Sequence, residues 1–214
     1  MARQRTAFTP DPKHVLFAAM GLGLLFVLWN NEAFLLNPAD PHWQHLAPAG
    51  WRFPPHGLFG SVALVTGALQ FSSRLRRNRR RHRLIGRTYA IAAIGTCCFA
   101  MWMATFISPW FLTLFTWTQG IALMLCTGIG WTMARRRKFE WHRAWMMRSY
   151  AIALIFIEGR VLMAIPWFGA RGLDAVVAVN WFLLVVSLLA VELWLQWEKL
   201  KLPAKEPLAR SRAG

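Results

Sequence analysis

Glu158 and Arg160 stand two residues apart in IFIEGRVLMAI (155–165), a stretch that is otherwise apolar. On a helix, residues at that spacing point in different directions and do not pair with each other. Each therefore needs another partner, a water or a ligand. Counting about 1.5 Å per residue places both about 8–11 Å below the nearer end of an apolar span. The same counting brings Glu32, His56 and Gln119 into that half. The expectation is a polar cluster of Glu32, His56, Gln119, Glu158 and Arg160 inside a helical bundle. Ionisable residues within membrane spans mark substrate or ion pathways. The competing reading is a salt-bridge network that fixes helix packing and has no activity.

Histidines supply the second set of candidates. His82 and His142 enter two helices from the same side at matching depth, a geometry that suits bis-imidazole ligation of haem b. His56 could pair with His42 or His45 at the opposite side, and two stacked haems would carry electrons across a membrane. Against this, His82 falls about 9 Å outside the apolar segment that follows it. As a polar anchor beside Arg83, as His142 is beside Arg143, it would bind lipid phosphate instead. A metal at His42-x-x-His45 lacks a thiol, and Asp40 is the only nearby carboxylate. That segment is read as a solvated loop with no metal. No Walker motif, G-x-S-x-G or H-E-x-x-H occurs, so nucleotide hydrolysis, serine hydrolysis and zincin chemistry have no support.

The elements that must position these residues are read from composition. Apolar residues make up 56% of the 214 and charged residues 16%, against about 25% charged in soluble domains. Apolar blocks at 15–36, 56–73, 88–107, 110–133, 144–165 and 175–197 reach or approach the length needed to cross a bilayer. The first is longer than a signal-peptide core and is read as a retained span. The fold class is therefore all-α: an integral membrane bundle of six transmembrane helices. It comprises an N-terminal tail (1–13), the membrane domain (14–200) and a C-terminal tail (201–214).

The net charge of +16 raises nucleic acid as a partner, and its distribution argues against one. Arginine and lysine crowd the N-terminal tail, SRLRRNRRRHR, ARRRKFEWHR and the C-terminal tail, while 37–55, 108–109 and 166–174 hold only Arg52 and Arg171. Every second loop is basic, which predicts cytoplasmic termini in a bacterial inner membrane. Arg83, Arg87, Arg143 and Arg148 are then expected at anionic lipid headgroups. Most of the 13 tryptophans fall near one boundary or the other, as two aromatic belts; Trp117 lies well inside a span. Cys97, Cys98 and Cys126 are read as apolar packing residues with no disulfide.

RRRHRLIGRTYAIA (79–92) echoes EWHRAWMMRSYAIA (140–153), as hairpins related by a repeat would; convergence on boundary Arg and Tyr explains the echo equally well. His56, GALQF (67–71), HRLIGRTY (82–89) and HRAWMMRSYAIAL (142–154) with Arg160 resemble the prokaryotic multi-pass membrane-protein family catalogued as domain of unknown function 2306. The resemblance runs over 56–160 and matches His56, Gln70, His82, Arg87, His142, Arg148 and Arg160; it leaves His42, His45 and the sixth span outside. It implies a multi-pass inner-membrane protein and carries no reaction or cofactor. The leading expectation is a redox or quinone-handling membrane subunit that binds haem b. Two alternatives remain: an accessory subunit packed against lipids or a larger membrane complex, and a small transporter that uses the polar cluster.

Overall fold

In a computed structural model, the structure describes residues 12–31, 37, 40–41 and 50–201. The described residues are helical almost throughout. Six long helices, α1 (Pro12–Asn31), α2 (Phe53–Gln70), α4 (Arg79–Ile107), α5 (Trp110–Arg135), α6 (Phe139–Met163) and α8 (Gly172–Lys201), are joined by the short helices α3 (Ser73–Arg77) and α7 (Pro166–Gly169). Of these, α4, α5 and α8 are long and apolar enough to cross a membrane by length and composition.

The helix starts follow local chemistry. Pro54 and Pro55 open α2, where the missing amide proton costs nothing and φ is preset. The Asn78 side chain accepts from the amides of Arg80 and Arg81, each at 3.1 Å, and so caps α4. That cap starts α4 well before residue 88, so the basic run is helical and carries His82 on the helix itself. The same holds for His142, inside α6 from its first turn. At the α5–α6 turn Arg137 takes a left-handed conformation, φ 60°. The Arg137 amide there reaches Ala134 O at 3.1 Å and that of Lys138 reaches Met133 O at 2.9 Å, which satisfies the last carbonyls of α5.

Helices α2, α4, α5 and α6 each pack on the next, and α6 closes the ring on α2; α1 and α8 lie against α6, and α8 also touches α5. Cross-helix bonds fix the antiparallel register. His56 meets Thr96 and Gln70 meets the His82 carbonyl between α2 and α4. Trp117 donates to Thr105 between α4 and α5. The bundle thus has an arginine-rich end, near residues 74–83 and 135–143, and an opposite end near residues 54–57 and 160–164. Between them the core is made of small and aromatic residues: Ala63, Ala92, Ala93, Cys97, Phe115, Tyr89 and Tyr150. All three cysteines are free thiols.

Large apolar side chains face outward along the helices. Ile91, Leu125, Leu189 and Leu193 are all more than half exposed. Polar groups turn inward: Thr127 and Ser149 are fully buried. This inversion suits a hydrocarbon solvent, in which outward leucines cost nothing and polar groups must find partners inside.

Candidate functional site

The arginine-rich end was expected to present its basic residues to lipid. Arg83 and Arg87 are exposed there. Arg143 and Arg148 are held differently. Arg143 forms a two-pronged pair with Glu198, at 2.6 and 2.8 Å, and Arg148 meets Glu192 at 2.5 Å. Both carboxylates lie on α8. The pairs therefore join α6 to α8.

His82 and His142 lie at this same end. His142 Nδ1 is 2.8 Å from Gly130 O. Only a donor can bond a carbonyl, so Nδ1 carries a proton, and in the neutral ring the lone pair is then on Nε2. His82 Nδ1 is buried without a hydrogen-bond partner. His56 is at the far end of the bundle, where its Nδ1 donates to Thr96 O at 3.0 Å. His42 and His45 lie outside the described residues, and so does Glu32. Among the described residues no three metal-ligating side chains gather.

In the centre, Tyr89 on α4, Thr127 on α5 and Ser149 on α6 join in a chain of hydroxyls. Thr127 donates to Leu123 O at 2.7 Å. Its one proton is thereby used, so it must accept from Ser149 at 2.8 Å, and Ser149 must accept from Tyr89 at 2.6 Å. The chain ends on a carbonyl, which has no proton to pass on, so it acts as a lock between three helices. Beside it the Tyr150 hydroxyl donates to Leu64 O at 2.8 Å. Tyr89 and Tyr150 are the matching tyrosines of the two echoed segments. They meet ring to ring at 6.2 Å, over Gly67, where an added Cβ would run into the Tyr150 ring and come within 2.9 Å of Tyr89. Sequence reasoning missed this lock; its signal was hydroxyl residues inside otherwise apolar spans.

The polar cluster divides. A cavity of about 1060 Å³ opens between the helices at the end away from the arginine run, and His56, Gln119 and Arg160 all line it. Glu158 does not; it turns toward α8 and accepts from Ser187 Oγ at 3.2 Å. The remaining polar lining includes Thr96, Thr116 and Asn180, and the walls include Leu24, Val27, Phe115, Leu123 and Ile152. Gln119 donates to Ile152 O at 3.3 Å and Asn180 to Val176 O at 2.8 Å; each amide keeps a second N–H. The Arg160 guanidinium lies 5.4 Å from the Phe156 ring centroid. Among the described residues it makes no ion pair or hydrogen bond. An apolar chamber with a few convergent donors is the usual form of a small-molecule site.

No curated protein and no solved structure matches this chain. One family model does, over residues 53–195. That range reaches past the 56–160 read from motifs and takes in most of α8, whose glutamates pair with α6, so the last long helix is part of the shared unit and not an addition to it. The chain belongs to the family described as predicted membrane protein (DUF2306).

Proposed function

We propose that this protein is a six-span membrane subunit that handles a lipophilic small molecule, with the molecule's polar head in the Arg160 cavity and its apolar part along the helices. The cavity carries the reading: about 1060 Å³ with His56, Gln119, Asn180 and Arg160 converging on mostly apolar walls. A quinone is one molecule of this kind, since its carbonyls accept from such donors. In this reading the arginine-rich end is cytoplasmic, the cavity lies in the opposite half, and exposed Arg83 and Arg87 meet anionic headgroups. Protein purified in mild detergent should carry a co-extracted lipophile in near-equimolar amount, seen by mass spectrometry of a solvent extract. Ala100→Phe, which fills the cavity from α4, should lose it while the protein stays folded. A filled cavity that still retains the molecule, or wild-type protein that carries none, would overturn the reading.

A second reading keeps haem b between His82 and His142. It is favoured by the Nε2 lone pair of His142 and the unpartnered Nδ1 of His82. Both residues are on helices. The absorption spectrum of reduced protein tests it: a b-type band that disappears in His142→Ala supports haem, and a featureless visible spectrum after haem-sufficient growth ends that reading.

A further inference from the structure

We infer that the molecule held in the cavity is an anionic amphiphile, a carboxylate or phosphate on a hydrocarbon tail, with Arg160 as its counter-charge. The inference rests on the cavity being an amphiphile site. It starts from a comparison within one helix. Of the three arginines on α6, Arg143 and Arg148 each have a carboxylate of their own, at 2.6 and 2.5 Å. Arg160 has none among the described residues, and it is the one that lines a cavity. Glu158, its near neighbour in sequence, is turned to Ser187. No aspartate or glutamate is among the described residues lining the chamber.

Arg160 is half-buried in a mostly apolar wall, where a charge without a counter-charge is costly and proteins pair or neutralise such groups. Arginine stays charged, so neutralisation has to come from outside the side chain. A neutral head would take hydrogen bonds from the guanidinium and leave the charge in place. An anionic head would supply the missing charge, and the spare N–H groups of Gln119 and Asn180 would satisfy further oxygens. The volume, about 1060 Å³, lies just above the about 300–1,000 Å³ usual for small-molecule sites. Leu24, Val27, Phe115 and Leu123 give the tail an apolar wall.

The test uses the full chain in phosphatidylcholine nanodiscs with tritiated palmitate as probe, displaced by unlabelled palmitate, hexadecyl phosphate, hexadecanol or decylubiquinone. Palmitate or hexadecyl phosphate should displace at concentrations about tenfold lower than hexadecanol, a difference of about 1.4 kcal/mol. Whichever anion is stronger names the head. Arg160→Gln should weaken palmitate binding by a similar factor, and Arg160→Lys, which keeps the charge, should retain most of it. Repeating the assay in phosphatidylglycerol nanodiscs separates the sources: lost binding identifies a membrane lipid as the occupant, and retained binding a free amphiphile. Glu32→Gln controls for an internal counter-charge. Unchanged affinity supports the inference, and a large gain would assign the counter-charge to Glu32 and overturn it. Equal displacement by hexadecanol or decylubiquinone, or full binding by Arg160→Gln, would overturn the anionic head but leave the amphiphile reading standing. No saturable displacement by any of the four would overturn both.

Discussion

Ser149→Ala removes the middle hydroxyl of the chain Tyr89–Ser149–Thr127, and the direction of that chain sets the size of the effect. The Tyr89 hydroxyl donates to Ser149 at 2.6 Å, and both residues are 0% exposed. Without the serine oxygen, the Tyr89 proton has no acceptor and no route to water. Orphaning a buried donor costs about 1–3 kcal/mol. Thr127 is spared, since its own proton still goes to Leu123 O. Tyr89→Phe cuts the same bond from the other side. Ser149 then loses an incoming bond but still donates to Thr127 at 2.8 Å. Only the bond itself is lost, about 0.6 kcal/mol on average between membrane helices. Ser149→Ala should therefore be the more destabilising of the two, and the double variant should be more stable than Ser149→Ala alone, because it removes the orphaned proton. Denaturant titration in mixed micelles, followed by far-UV circular dichroism, gives the three free energies. A Tyr89→Phe cost equal to or above that of Ser149→Ala would refute the assigned direction, and additive costs in the double variant would refute the orphaned-donor argument.

Gly67→Ala puts a Cβ into the Tyr150 ring where α2, α4 and α6 meet; it should cost about 1–3 kcal/mol or more as an overpacked contact, read in the same titration, whereas Gly57→Ala, with open space around it, should be close to neutral. A reporter fused after Arg136 or at the C-terminus should behave as cytoplasmic and one at position 45 as periplasmic, as the alternation of basic loops requires; a cytoplasmic signal at 45 would reverse the topology.

The long helices are legible in the sequence because hydrocarbon demands apolar residues in unbroken blocks. Their ends are less so. The run SRLRRNRRRHR reads as a basic loop, yet Asn78 caps a helix that takes in its last five residues, and a cap is a matter of one side chain and two amides that hydropathy does not register. The cluster is legible in part. His56, Gln119 and Arg160 share a chamber because each lies at a similar depth, and depth follows from counting residues. Rotation about the helix axis does not: Glu158 shares their depth but faces Ser187. The partners of Arg143 and Arg148 lie 55 and 44 residues away in sequence, so loop composition pointed to lipid where a distant helix supplies carboxylates. Thr127 and Ser149 look like ordinary small residues until three helices bring the hydroxyls together.

The two ion pairs between α6 and α8 have a mechanical consequence. They fasten the arginine-rich end of that seam, at Glu192 and Glu198. Glu158 and Ser187 bond part-way along it. At the chamber end the short α7 joins the two helices covalently, and Gly159 and Asn180 come together. The seam is therefore stitched along its length, so α6 and α8 hold their wall of the chamber beside Arg160 as one unit.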